Sequence, residues 1–238
     1  MQNPKILLII PAFNEEKTIL NTLNLVKATN YDYIVINDGS TDNTANILYK
    51  NKANFIDLFS NLGIGGAVQT GYKYAYDNNY DIAIQVDADG QHDISYIDSL
   101  IEPIKNNEAD LVIGSCFVDK KAKSKRSSKI RRIGIHILSN FIFIMSGGKR
   151  VYDPTSGFRA ANRKTIALFS EKYPLEYPEP VSNYELLRSK HYVIKEVPVR
   201  MNKRAGGKSS IRSWKSAYAA FNVIFSILIL SLGRKKYD

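Results

Sequence analysis

Short apolar runs alternate with stretches of helical spacing through the first half of the chain. Residues 5–10 (KILLII) are almost wholly apolar and rich in isoleucine, which predicts a strand buried on both faces. Pro11-Ala12-Phe13-Asn14 ends it, and over 15–29 the apolar positions Ile19, Leu20, Leu23, Val26 and Ala28 follow the spacing of a helix. Residues 31–36 (YDYIVI) predict a second strand, closed by the turn Asp38-Gly39-Ser40-Thr41-Asp42, where Thr41 or Asp42 can cap the next helix. A third strand is expected over 54–59, after which Gly63-Ile64-Gly65-Gly66 opens a helix running through Ala67, Gly71, Tyr74 and Ala75. Residues 81–86 predict a fourth strand ending at Asp87-Ala88-Asp89, 94–105 a helix and 110–113 a fifth strand. The fold class is therefore α/β, a mostly parallel central sheet with helices on both faces. Such folds put their chemistry beyond the C-terminal ends of the strands. Three of those ends carry polar clusters: Pro11-Phe13-Glu15, Asp38-Gly39-Ser40 and Asp87-Ala88-Asp89.

The second half has a different pattern. Residues 130–145 are apolar at most positions, broken by Arg131, Arg132, His136, Ser139 and Asn140. As a helix this is amphipathic with a basic beginning, which suits a membrane-surface element or a helix packed on the sheet. A helix is expected over 181–190 and a strand over 192–199. The loop 200–210, with two glycines, two serines and four bases, reads as a phosphate-gripping lid. Residues 217–232 are apolar except for Asn222, Ser226 and Ser231, shorter than the roughly 20 residues of a spanning helix. Trp214 and Tyr218 lie at one end and Arg234-Lys235-Lys236 at the other, leaving three readings: shallow membrane attachment, a helix that pairs in a homo-oligomer, or a single span. The expected organisation is a catalytic domain over 1–210 and a C-terminal amphipathic or apolar helix with a basic tail over 211–238.

Composition narrows the class. Of 238 residues, 44% are hydrophobic and 24% charged, which excludes a disordered or collagen-like chain. The single cysteine, Cys116, excludes an internal disulfide, and the start of the chain does not read as a signal peptide. Residues 1–119 hold 16 acids and 7 bases, whereas 120–238 hold 7 acids and 26 bases. This polarity points to an anionic partner for the second half. Nucleic acid is not that partner, because no motif of aromatics interleaved with bases is present and the acidic strand ends would repel a backbone. The glycines at 63–66 follow the third strand and depart from the dinucleotide fingerprint, and no phosphate loop of the GxxxxGK[ST] type occurs.

Asp87 and Asp89 stand one residue apart where a strand ends. Two carboxylates so close repel unless a positive charge lies near them, and a hard divalent ion held jointly with a diphosphate meets that need. Gln91 adds a carbonyl oxygen, and His92 is the alternative ligand. Asp38 suits a hydrogen bond to a base or ribose, with a plain Asx-turn as the second reading.

Through these and further residues the chain resembles a family 2 glycosyltransferase of the GT-A fold, in the branch of dolichol-phosphate mannose synthase and the polyprenyl-phosphate glycosyltransferases. The matching stretches are Pro11-Ala12-Phe13-Asn14-Glu15-Glu16, Val35-Ile36-Asn37-Asp38-Gly39-Ser40-Thr41-Asp42, Gly63-Ile64-Gly65-Gly66-Ala67, Gln85-Val86-Asp87-Ala88-Asp89-Gly90-Gln91-His92, Asp153-Pro154-Thr155-Ser156-Gly157-Phe158-Arg159 and Gly206-Gly207-Lys208-Ser209-Ser210. The resemblance implies a metal-dependent inverting hexosyltransferase that moves a sugar from a nucleotide-diphospho-sugar, UDP-linked by weak preference, to a polyprenyl phosphate such as undecaprenyl phosphate. The alternative it leaves open is extension of a cell-surface polysaccharide or glycolipid at a sugar hydroxyl. It implies that Pro11, Phe13, Glu15 and Asp38 surround the nucleotide and that Asp87, Asp89 and Gln91 hold Mg²⁺ or Mn²⁺. Arg131, Arg159, Arg200, Arg204, Lys208 and the segment near Ser209 are implied to engage phosphates. Ser115-Cys116 departs from the Ser-Arg common in that branch. The implied location is the cytoplasmic face of a bacterial cell membrane, peripheral or monotopic, against an anionic surface.

For a hydroxyl acceptor Asp153 is the expected general base. For a lipid phosphate, already largely anionic, it would orient the acceptor. Glu179, between Pro178 and Pro180, and Glu185 are the second candidates.

Overall fold

The computed structural model describes residues 4–118, 129–189, 191–202 and 213–233. Seven strands form one sheet in the order β3-β2-β1-β4-β6-β5-β7. β1 (Ile6–Ala12), β2 (Asp32–Asn37), β3 (Phe55–Asp57) and β4 (Ile82–Gln85) are parallel neighbours, with β1 between β2 and β4. β5 (Leu111–Ser115) runs parallel to β7 (Ile194–Pro198). Between β4 and β5 lies β6 (Arg159–Asn162), antiparallel to both.

Every residue of β1 is buried, as its unbroken apolar run requires. The period of two sorts its side chains onto opposite faces. Leu7 and Ile9 join Ile34, Ile36, Ala83 and Ile113 in one core layer, whereas Ile6, Leu8 and Ile10 join Val35, Ile82, Ile84 and Val112 in the other. The second layer is closed by α1 (Ile19–Lys27), α2 (Thr44–Lys50) and α4 (Ile97–Lys105), the first by α3 (Gly63–Asp77), α5 (Lys129–Met145), α6 (Arg163–Glu171), α7 (Pro178–Arg188) and α8 (Ser213–Leu232). Gly71 fixes how closely α3 lies on β1. A Cβ there would stand 2.2 Å from Ile9 Cγ2. On the far side of α3, the rings of Tyr72, Phe169 and Tyr173 meet at 4.8–5.6 Å between centroids and lock α6 to it.

Several elements differ from the pattern reading. α1 starts at Ile19 rather than 15, because Glu15 and Thr18 form a side-chain-closed turn in which the Thr18 hydroxyl donates to the Glu15 carboxylate at 2.6 Å. α2 begins after Asn43, and Asp42 serves its first turn by accepting from Thr44 N–H at 2.9 Å. β6 and α6 follow no apolar run that the pattern singles out. β6 is Arg-Ala-Ala-Asn, buried by its neighbours rather than by its own hydrophobicity, and Asn162 at its end caps α6 by accepting from Thr165 N–H.

α8 packs through Val223 and Ile227 onto Leu138 and Ile142 of α5 and the rest of the first layer. Among the described residues no helix is long and apolar enough to cross a membrane.

Candidate active site

The register of the sheet sets the strand ends side by side. Ala12 pairs with Asn37 on one flank, and Ile9 with Gln85 on the other, so Asp38 and Asp87 leave the sheet on either side of the end of β1. The loops there bind one another. Asp38 N–H donates to Ala12 O at 2.8 Å, and Asn14 N–H to the Ser40 hydroxyl at 3.0 Å. Asn14 Oδ1 accepts from Thr41 N–H at 2.8 Å, and Glu15 N–H donates to the Thr44 hydroxyl at 2.9 Å. Gly39 permits this closeness: at φ +63° a Cβ would lie 2.7 Å from Asn61 N. Pro11 is buried within β1, Glu15 is half-buried, and the Phe13 ring stands exposed on the rim as a flat apolar surface.

Asp38 is buried, and its carboxylate accepts from Leu62 N–H at 2.7 Å, at the N-terminus of α3. Burial pushes its pKa up, against the pull of the Leu62 and Gly63 amides. It therefore joins the β2 end to the α3 start, a job inside the protein that sequence reading did not give it. The pattern Asp38-Gly39 resembles a ligand site and an internal brace equally.

β4 delivers the two aspartates. Asp87 N–H donates to His92 Nδ1 at 2.9 Å, so that nitrogen is an acceptor and the proton of the neutral ring sits on Nε2, 3.5 Å from Asp87 Oδ2. His92 is buried and stacked on Phe158 with centroids 4.8 Å apart. It braces the Asp87 turn and does not present a ligand nitrogen through Nδ1. Asp89 is buried, and accepts from Gln91 N–H at 2.9 Å and from the Gln91 side-chain amide. Gln91, expected to offer its carbonyl, thus turns its nitrogen toward Asp89.

Among the described residues no three of His, Cys, Asp and Glu converge as a metal cage. The residues present nonetheless fit a hard divalent ion. The Asp87 side chain is 36% exposed at the strand end, Asp89 follows it, and one or two carboxylates are what Mg²⁺ or Mn²⁺ takes when substrate phosphates complete the shell.

The acceptor-side candidates fall apart into three groups. Asp153 lies buried, with its N–H donating to Glu196 Oε1 at 2.8 Å while Tyr152 N–H donates to Glu196 Oε2 at 2.7 Å. The Thr155 hydroxyl donates to Asp153 Oδ1 at 3.2 Å. Glu196 is a residue the sequence reading missed: one acid within Ile-Lys-Glu-Val-Pro of β7, with no partner nearby in sequence to mark it. Burial pushes its pKa up, the Asp153 charge adds to that, and the Tyr152 and Asp153 amides oppose it.

Arg159, expected to engage phosphates, is instead 0% exposed. Its guanidinium donates to Ser156 O at 3.2 Å, the Ser182 hydroxyl at 3.0 Å, Asn183 Oδ1 at 3.2 Å and Glu179 O at 3.4 Å. A cation so enclosed joins β6 to the start of α7 and does not reach a substrate. The sequence gives the charge of Arg159 but not the burial of its strand. Glu179, half-buried in the first turn of α7, lies in the field of both Arg159 and Asp87, and burial raises its pKa. Glu185 is paired with Lys172 at 3.3 Å, away from the strand ends. Arg200 is exposed after β7. The Arg131 side chain and Arg204, Lys208 and Ser209 lie outside the described residues.

A mixed, mostly parallel sheet with carboxylates at the end of its fourth strand, flanked by a knitted loop cluster, is the GT-A-like arrangement of a glycosyltransferase. The glucosyl-3-phosphoglycerate synthase of Mycobacterium tuberculosis in complex with UDP superposes on 96% of this chain and 80% of its own with a TM-score of 0.66, at 20% identity, a likeness of fold. The model of glycosyl transferase family 2 matches residues 7–169, and the chain belongs to that family. The UDP-N-acetylglucosamine–dolichyl-phosphate N-acetylglucosaminyltransferase of Methanococcus voltae is 34% identical over 98% of this chain and 99% of its own. The dolichol-phosphate mannosyltransferase of Pyrococcus furiosus is 28% identical over 87% of this chain and 59% of its own.

Proposed function

We propose that this glycosyltransferase moves a sugar from a nucleotide-diphospho-sugar, UDP-linked, onto a polyprenyl phosphate at a membrane surface. The observation that carries the reading is the Asp87–Asp89 pair at the end of β4, beside the β1 and β2 loops, in a chain alignable end to end with a relative named for UDP-N-acetylglucosamine and dolichyl phosphate. Asp87 and Asp89 would hold Mg²⁺ or Mn²⁺. Bound there, the ion supplies positive charge to the departing nucleoside diphosphate. Phe13 offers its exposed face to the base, and Asp38 and Glu15 hold the loops that border it. A lipid phosphate is largely anionic at neutral pH, so its attack on the anomeric carbon needs no strong base. The inward-held Asp153, fastened at its backbone by Glu196, suits an orienting part better than proton abstraction.

The membrane part of the proposal rests on α5 and α8, whose outer faces expose Ile133, Ile137, Ile144, Phe221, Phe225, Ile229 and Leu232, the last 87% exposed. Apolar stripes on adjacent helices, beside the exposed Lys149 and Arg150, suit the boundary between acyl chains and anionic headgroups. Residues 211–238 act in this reading as the docking element of a catalytic domain over 1–210.

One observation favours the alternative, transfer to a sugar hydroxyl: Glu179 lies near Asp87 with its pKa raised, as a general base requires. The test is a product assay of the full chain with Mn²⁺, a panel of nucleotide sugars and either undecaprenyl or dolichyl phosphate, read by mass spectrometry of the lipid fraction. A sugar phospholipid that is absent with chelator and with Asp87→Ala supports the proposal. Donor turnover with no sugar phospholipid formed moves the assignment to the alternative.

A further inference from the structure

Gln85, the last residue of β4, is fixed by strand pairing on both sides, with Ile9 of β1 and with Arg159 of β6. Its side chain is buried. The amide nitrogen donates to Asp87 Oδ1 at 3.3 Å, and the side chain lies near enough to the Glu179 carboxylate on α7 to temper the rise in its pKa. One amide thus stands beside two carboxylates from different elements. The amide oxygen is buried without a protein partner, and rotating the amide would aim that oxygen at both carboxylates. The nitrogen is therefore held facing them.

Gly157 lies against this contact: a Cβ there would stand 2.9 Å from Gln85 Nε2 and 3.3 and 3.4 Å from the two Asp87 oxygens. Behind Glu179 stands the Arg159 guanidinium, which opposes the charge of the paired acids. The hydroxyl of Tyr72, also buried without a partner, lies in the field of the same Arg159 and Glu179, as does that of Tyr173, which Arg159 approaches. Unpaired polar atoms gathered at one place are costly unless the place has a use.

We propose that Gln85 is a positioning residue that holds the Asp87 carboxylate in a single orientation, backed by Glu179 and Arg159, so that it receives the divalent ion without first reordering. The proposal rests on the reading of Asp87 as a metal ligand. An aspartate at a strand end otherwise samples several rotamers, and outer partners of metal ligands commonly set affinity by a factor of ten or more. Neither Gln85 nor Gly157 touches the donor in this scheme. Their effect is confined to the ion.

The test measures binding, not turnover. UDP binding is followed by calorimetry at a series of Mn²⁺ concentrations and again in chelator, and bound Mn²⁺ by electron paramagnetic resonance. Two variants act on the amide differently: Gln85→Met, which keeps the volume and removes the donor, and Gly157→Ala, which pushes the amide off Asp87. The Mn²⁺ half-saturation is expected to rise about tenfold in each, with metal-free UDP affinity unchanged. Where Gln85→Met does not fold, Gly157→Ala decides alone. Wild-type Mn²⁺ half-saturation in a folded variant overturns the proposal, and so does an equal loss of metal-free UDP affinity. Wild-type protein whose UDP binding ignores Mn²⁺ overturns the metal-site reading itself, and the clamp with it.

Discussion

The loops that follow β1 and β2 and the helix pair α5–α8 are finished in different ways. The first region is closed by its own side chains: Asn14, Ser40, Asp38 and Thr44 each bind backbone from a neighbouring segment. The second is closed on one face only, with Val223 and Ile227 buried and Phe221, Phe225 and Leu232 left outward. The loop cluster supplies its own partners, and the helix pair leaves apolar area uncovered.

The sharpest break of this contrast comes from Asp87→Ala. Loss of a metal carboxylate removes several kcal/mol of charge stabilisation, so turnover should fall about a thousandfold while the thermal midpoint changes little. A thermal scan beside the sugar-transfer assay checks both. Arg159→Met acts oppositely, on the frame: leaving the buried acceptors Ser156 O, Ser182 Oγ and Asn183 Oδ1 without their donor should cost about 3–5 kcal/mol in denaturant unfolding. Next come two identical changes with opposite signs. Gly71→Ala drives a Cβ into Ile9 and should destabilise by about 1–3 kcal/mol. Gly134→Ala on α5, where a Cβ meets nothing within 4 Å, should stabilise by about 0.5–1 kcal/mol through helix propensity. Equal effects at the two glycines would erase the contrast between the regions.

Phe225→Asp should weaken sedimentation with anionic vesicles about tenfold, the worth of one lost aromatic insertion, with UDP binding untouched. Unchanged sedimentation would point to a second copy of the chain on that face, which light scattering would reveal. The smallest effect concerns Glu196. Its pKa is raised in the folded state, so its contribution to stability is whole below the ordinary carboxylate value of 4.5 and declines as pH rises through the folded value. Glu196→Gln does not titrate, and its stability relative to wild type should improve from pH 4 to pH 7 in paired denaturant melts.

Legibility in the sequence follows the same divide. The run 5–10, most of β1, and the aspartates after Gln85 are visible because a strand buried on both faces is apolar throughout, although β1 continues through Pro11 and Ala12, where the pattern ends it. β6 was not visible, since Ala160 and Ala161 owe their burial to β4 and β5. Without that strand the resemblance alone spoke for Arg159 as a phosphate ligand, whereas the same charge buried in a central strand is a brace. Glu196 and the two-sided part of Gln85 depend on contacts between residues far apart in the chain, which no local spacing records.

The antiparallel insertion of β6 also orders the making of the molecule. β5 pairs only with β6 and β7 among the described strands, so a nascent chain that has emerged through Ser115 holds four strands that zip together and a fifth that has nothing to join. Until residues 159–162 arrive, the open side of β4 is an unpaired apolar edge. Biogenesis therefore has a vulnerable interval, ended by four small and polar residues, and a pause in translation within it would favour aggregation over folding.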